Sequence, residues 1–172
     1  MLYRVMFRDK IAELLRKTTD AGQSVFTHRT APVKPEMLPV IFVAIPSETG
    51  MSFGRAQPGF NKIVKVEVVA KVAGGTPEQV RENMDQISEQ IEMAVMCDQD
   101  LQRSISQVTD FNLEQGLLDD AEDHLGAVKI TFGLEYQQDY PVPGVDLQEI
   151  TGRVGTADEG MTAPGLRVDF PQ

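Results

Sequence analysis

The sequence predicts an α+β fold: a mostly antiparallel sheet of about five strands, two helices packed on one of its faces, and an extended C-terminal arm. Three observations predict it. Segments 7–18 and 80–95 space their apolar residues for one face of a helix, while segments 63–72 and 128–136 alternate as half-buried strands do. Pro and Gly make up 9 of the last 32 residues, near the level at which composition argues against a packed core. A domain of residues 1–140 followed by an arm of residues 141–172 accounts for all three.

The first helix is read from Phe7, Ile11, Leu14, Leu15 and Thr18, which fall on one stripe with Arg8, Asp9, Glu13, Arg16 and Lys17 opposite. Gly22 follows where a left-handed turn ends such a helix. Ser24–Arg29 has strand-forming residues without strong alternation, and Pro32 and Pro35 make an extended connection. The run Leu38–Ile45 is nearly all apolar, as expected of a strand covered on both faces. Pro46–Asn61 reads as a long loop or a projecting hairpin arm, because Gly50, Gly54, Pro58 and Gly59 interrupt it. It nevertheless carries Met51, Phe53 and Phe60, large apolar residues expected to be covered by another chain or, in the alternative, by folding back on their own core.

In the next strand Val64, Val66, Val68, Ala70 and Val72 point one way, and Lys65, Glu67 and Lys71 the other. Gly74 and Gly75 end it. Thr76 caps the second helix, Pro77 is preset for its first turn, and Gln79 completes a capping box. The apolar stripe Val80, Met84, Ile87, Ile91, Ala94, Val95 lies on the sheet, and Glu78, Glu82, Asp85, Glu89 and Glu92 make the opposite side acidic. A weaker strand of mixed polarity, Ser104–Leu113, suits a sheet edge. An acidic turn follows from Gly116 to Leu125. Val128 to Tyr136 forms the last strand of the core, which gives the order α-β-β-β-α-β-β.

Charge is unevenly placed. Residues 1–75 hold 11 Lys or Arg and 6 Asp or Glu, whereas residues 76–172 hold 5 and 20. That balance does not describe a duplex-DNA binder, which needs a basic stripe to replace counterions. It suits a protein with two differently charged faces and, equally, one with a merely acidic surface. No apolar run approaches the roughly 18 residues that span a bilayer, and charges near Met1 occupy the place of a signal peptide's apolar stretch.

Few residues offer chemistry, and no catalytic, cofactor or metal residues are expected. Cys97 is the single cysteine, which precludes an intrachain disulfide, and it reads as a small buried hydrophobe. His28, on the expected second element, reads as a surface or interface residue, and neither it nor His124 has ligand-type neighbours at metal spacing. Asp119, Asp120, Glu122 and Asp123 lack the alternation, central Gly and closing Glu of a calcium loop, so a solvated acidic turn is expected. Gly74-Gly75-Thr76 sits where phosphate loops occur but lacks the Lys-Ser/Thr ending. The serines show no nucleophile elbow.

The order of segments — an amphipathic first helix, Val25-Phe-Thr-His-Arg29, Leu38-Pro-Val-Ile-Phe-Val43, a valine-rich strand, an acidic Pro-started helix and a strand ending at Tyr136 — resembles that of the tail terminators (minor tail or tail completion proteins) of long-tailed phages. The resemblance covers about residues 1–140 and rests on order and character rather than on a diagnostic motif. It implies a non-enzymatic virion protein, assembled in the host cytoplasm and placed at the head-proximal end of the tail. Such a protein forms a homo-oligomeric, usually hexameric, ring that caps the tail tube protein, stops its elongation and presents a surface for the neck or head completion protein. Genomic DNA would pass through the ring without specific binding, and no membrane or cofactor is implied. The long Pro/Gly-rich tail departs from the compact members of the family and keeps a neck or head–tail connector subunit as the alternative. A small-molecule-binding domain or enzyme with a scattered site, and an adaptor using the arm as a peptide ligand, are the readings from other classes.

The interface residues expected are Met51, Phe53, Arg55, Phe60 and Tyr140 on the core, and Leu166, Val168 and Phe170 on the arm. Leu166, Val168 and Phe170 alternate with Arg167 and Asp169 between Pro164 and Pro171. So short a strand must pair with an existing edge. Pairing with a neighbouring subunit is therefore the expectation for the arm, with docking on its own core or disorder as the alternatives.

Overall fold

The computed structural model describes residues 2–28, 33–55, 58–118, 124–140, 149–152 and 166–169. The chain divides into two compact units, Met1–Tyr140 and Pro141–Gln172. The first is α+β. Helix α1 spans Tyr3–Thr18, β1 Val25–Phe26, β2 Val40–Ser52, β3 Gly59–Gly74, α2 Pro77–Cys97, α3 Gln99–Ser104, β4 Gln107–Leu118 and β5 His124–Asp139. The five strands form one sheet in the order β1-β2-β3-β5-β4, in which only the β1–β2 pairing is parallel.

The alternation of β3 orients the sheet. Val64, Val66, Val68, Ala70 and Val72 are all buried, and they share their face with Val128, Ile130, Phe132, Leu134 and Tyr136 of β5. Onto that face α1 brings Phe7, Ile11, Ala12 and Leu15, and α2 brings Val80, Met84, Ile87, Ile91 and Val95. At about 1.5–3 kcal/mol for each fully buried large side chain, this layer supplies the main driving force for the fold. The opposite face carries Lys65, Glu67 and Lys129, and Lys129 pairs with Glu67 at 3.3 Å. Lys65 reaches Asp110 across β5, beside Gly133, where no side chain intervenes.

Helix α1 ends with the Thr18 and Thr19 hydroxyls donating back to the carbonyls of Leu14 and Leu15, at 2.9 and 2.6 Å. Gly22, at φ 48°, then makes the left-handed turn, and its N–H bonds the Thr19 carbonyl at 3.1 Å. The Arg16 guanidinium donates to the Val25 carbonyl at 2.8 and 3.2 Å, tying β1 to the helix. Thr18 is exposed rather than part of the apolar stripe.

Several elements differ from the sequence expectation. The strand expected over Ser24–Arg29 is only Val25–Phe26, since Val25 alone reaches the core; His28 is exposed beyond its end. The connection before β2 includes one 3-10 turn, Pro35–Met37. Pro46–Asn61 takes the hairpin form of its two readings: β2 continues to Ser52 and β3 begins at Gly59. Pro46, which has no N–H, sits in a register shift between Ala44 and Ser47. A short helix, α3, which was not expected, is capped by Asp98, whose carboxylate accepts from the Leu101 N–H at 2.7 Å. It delays β4 to Gln107. That strand then runs to Leu118, into the segment expected to be a turn; residues 119–123 lie outside the described residues. Cys97 is exposed, not buried. It lies two residues beyond Val95 on the last turn of α2, and that spacing carries it off the buried stripe.

Helix α2 begins as its sequence dictates. The Thr76 hydroxyl accepts from the Gln79 N–H at 3.3 Å, and the Gln79 side chain accepts from the Gly75 N–H at 2.9 Å. Its first turns sit directly on Gly126 of β5, where an added Cβ would lie 2.6 Å from Val80 Cγ1 and 2.7 Å from Met84 Sδ. Gly126→Val should therefore push α2 off the sheet and cost about 1–3 kcal/mol of stability, read as a lower midpoint in urea. An unchanged midpoint would mean that α2 is not seated there.

In the second unit, β6 (Glu149–Gly152) pairs antiparallel with β7 (Leu166–Asp169), with Ile150 opposite Val168. The arm's strand thus has one partner within the arm itself. Residues 149–152 had no strand assignment from sequence.

Candidate interaction surfaces

The hairpin of β2 and β3 closes where Ser52 pairs with Phe60 and the Phe53 N–H bonds the Gly59 carbonyl at 3.2 Å. Around this end lie most of the expected interface residues of the core. Met51 is 78% exposed and Phe53 47% exposed, with the Phe53 ring resting over Gly59; Arg55 is also exposed. Phe60 is half-buried and meets the Tyr140 ring edge-on at 6.2 Å. Tyr140 is held by its N–H to the Pro58 carbonyl at 2.9 Å, and its hydroxyl accepts from Lys62 Nζ at 2.6 Å. Phe60 and Tyr140 therefore form a partly self-covered aromatic pair, while Met51 and Phe53 stand outward. On the arm, Leu166 and Val168 lie in β7, and Phe170 lies outside the described residues.

A polar cluster braces the base of the hairpin. Glu48 accepts a short hydrogen bond from the Tyr136 hydroxyl and one from Arg4 at 3.2 Å, and it lies 3.7 Å from Lys62 Nζ. Burial presses the Glu48 carboxyl upward, but the Tyr136 hydrogen bond, the Lys62 charge and Arg4 outweigh it and hold its pKa below the ordinary value. Burial and the same hydrogen bond push the Tyr136 phenol upward. The Tyr136 ring also packs on Phe7 and Tyr3, each at 5.2 Å. This cluster locks α1 to the hairpin.

A second surface lies at the opposite edge of the sheet. In β4, Phe111 pairs with Phe132, Leu113 with Ile130 and Leu117 with Gly126, so all three lie on the helix-covered face. They are nevertheless 42%, 37% and 43% exposed. Helix α2 packs over β3 and β5 and meets β4 only along its margin, where Gln115 donates to Asp85 at 3.1 Å. Above this apolar strip stand the exposed carboxylates Asp85, Glu89 and Glu92. Among the described residues no strand pairs with the outer edge of β4, and on the other side β1 covers only Ile41 and Phe42 of β2.

No protein-family model matches this chain, and no curated protein matches it.

A cleft of about 270 Å³ lies between the start of α2 and the Pro35–Pro39 segment. Its polar groups are engaged: Asp20 accepts from Gln86 and Gln90, both at 2.8 Å, and Asn83 donates to the Ala73 carbonyl at 2.8 Å. Among the described residues no three His, Cys, Asp or Glu side chains converge for a metal. Nor is any described helix long and apolar enough to cross a membrane.

Phe111, Leu113 and Leu117 were not among the residues singled out from sequence. Their alternation with Asn112 and Glu114 was a legible strand signal, but alternation also describes a covered strand.

Proposed function

We propose that this protein is a structural subunit of a phage tail, a terminator whose ring caps the tail tube, stops its elongation and offers its other surface to the neck. One observation carries the reading: among the described residues two exposed apolar surfaces, the hairpin with Met51 and Phe53 and the edge strand with Phe111 and Leu113, lie at opposite sides of one sheet. Exposed apolar surface of this kind marks association. Two different patches on opposite sides make a head-to-tail contact, which closes into a ring when the rotation between copies permits. The order of elements, which resembles that of tail terminators, supplies the tail context. The acidic outer side of α2 would limit adhesion to DNA phosphates if it lined the passage.

A phage lacking this protein should make tails of irregular or excessive length that fail to join heads. Electron micrographs of the deletion lysate provide the test. Joined tails of normal length would exclude the role. Regular-length tails left unjoined would favour the neck-subunit alternative.

A further inference from the structure

We infer that the copies join edge to edge, the β4 strand of one subunit adding antiparallel to the outer edge of the β2 hairpin of the next. The inference rests on the ring reading above and specifies its interface. Among the described residues both edges are unpaired where they would meet: β4 along Gln107–Leu118, and β2 beyond the two residues that β1 covers. Strand direction fits. Strands β2 and β5 run one way and β3 and β4 the other, so β4 of one copy set beside β2 of another copy in the same orientation is antiparallel.

The faces fit as well. Gly50 and Ser52 pair with Lys62 and Phe60 and lie on the helix-covered face, the face that presents Phe111 and Leu113 on β4. Gly50 and Ser52 are small and exposed, so an incoming Phe111 or Leu113 meets no bulky side chain on the adjoining strand. Beyond them stands the Phe60–Tyr140 aromatic pair. Within a subunit, Gly50 lies level with Lys62 and Tyr136, whereas Leu113 lies level with Ile130 and Val68. The pairing thus needs a stagger along the strands, which is also what closing a sheet into a barrel requires.

Charge decides the choice of partner. Helix α1 packs over β1 and β2 and holds five basic and two acidic residues; α2 packs toward β4 and holds one basic and five acidic. The hairpin adds the exposed Arg55. A second copy in the same orientation sets the basic flank of one subunit against the acidic flank of the next. A two-fold pairing of β4 with β4 would instead oppose acidic α2 to acidic α2. Complementary flanks favour the correct encounter and penalise the wrong one.

The test uses two variants of the full chain. Phe111→Ser with Leu113→Asp spoils the β4 edge, and Met51→Glu with Ser52→Glu spoils the hairpin. Each pair is exposed, so circular dichroism should match wild type. Light scattering should find the wild-type oligomer replaced by monomer in each variant. Mixed in equal amounts, the two should form a heterodimer and nothing larger, because one sound interface remains between them. Either variant keeping the wild-type mass, or a mixture that stays monomeric, overturns the edge pairing. Hydrogen exchange on the wild-type chain gives a readout free of folding defects: amides of 47–52 and 107–118 should gain protection when the oligomer is concentrated from dilute monomer. Protection gained elsewhere and not there also overturns it. A wild-type chain that stays monomeric at every concentration removes the ring itself, whereas a ring with unprotected edges removes only this interface.

Discussion

Phe7→Ala should destabilise the Met1–Tyr140 unit by about 3–5 kcal/mol, among the larger losses expected of any single substitution in this chain. Phe7 is fully buried and stands in the middle of an aromatic row, 5.2 Å from Tyr136 and 6.5 Å from Tyr3. Its ring is the first residue of the buried stripe that joins α1 to β5, so truncation leaves a cavity flanked by a strand that cannot collapse into it. The thermal midpoint should fall by roughly 10 °C for a unit of this size. Met51→Ala, at 78% exposure, is the control and should move stability by no more than about 0.5 kcal/mol. A loss under about 1 kcal/mol for Phe7→Ala would mean that α1 is not packed as described.

Glu48→Ala should cost about 2 kcal/mol, because it removes the acceptor of the Tyr136 hydroxyl and of Arg4 and a charge partner of Lys62, which keeps Gln138 and Tyr140. Tyr136 is 3% exposed, so its hydroxyl cannot turn freely to bulk water. The pH dependence distinguishes this role from simple packing. Glu48 has its folded pKa held below the ordinary value of 4.5, so the stability it contributes is complete above that value and is lost as pH falls through the folded pKa. The gap between wild type and Glu48→Ala should therefore be constant over about pH 5–8 and narrow on the acid side of 4.5. Urea midpoints across that range measure it. A gap that does not narrow in acid would show that charge on Glu48 contributes nothing.

Both effects bear on the proposed assembly, since the Glu48 cluster fixes the hairpin to α1. A hairpin that moved relative to its helix would have to be ordered before a neighbour could pair with it, and that ordering would subtract from affinity.

Much of the fold was determined by the sequence alone because its signals are local. The period of Val80, Met84, Ile87, Ile91 and Val95 is that of a helix lying on an apolar layer, and all five are buried. The alternation from Val64 to Val72 and from Val128 to Tyr136 fixes which side chains face that layer, whatever the neighbouring strands are. Thr76, Pro77 and Gln79 mark the start of a helix by chemistry confined to one turn. Strand ends were less legible: β4 extends to Leu118 and β1 shrinks to two residues, because pairing length depends on a partner distant in sequence.

Only the tertiary structure decided which apolar residues are left uncovered. Helices pack about 10 Å apart and strands about 4.8 Å apart, so two helices cover about four strands. With α1 over β1 and β2, and α2 over β3 and β5, the fifth strand meets only the margin of α2. The mixed polarity of β4 suited a sheet edge, and β4 is one, but the alternation of Phe111 and Leu113 with polar neighbours left open whether they are covered as Val64 and Val66 are. Their exposure follows from strand order, which places β4 outside β5. The same order puts the basic helix at one flank of the sheet and the acidic helix at the other, an asymmetry the sequence held only as two unequal halves.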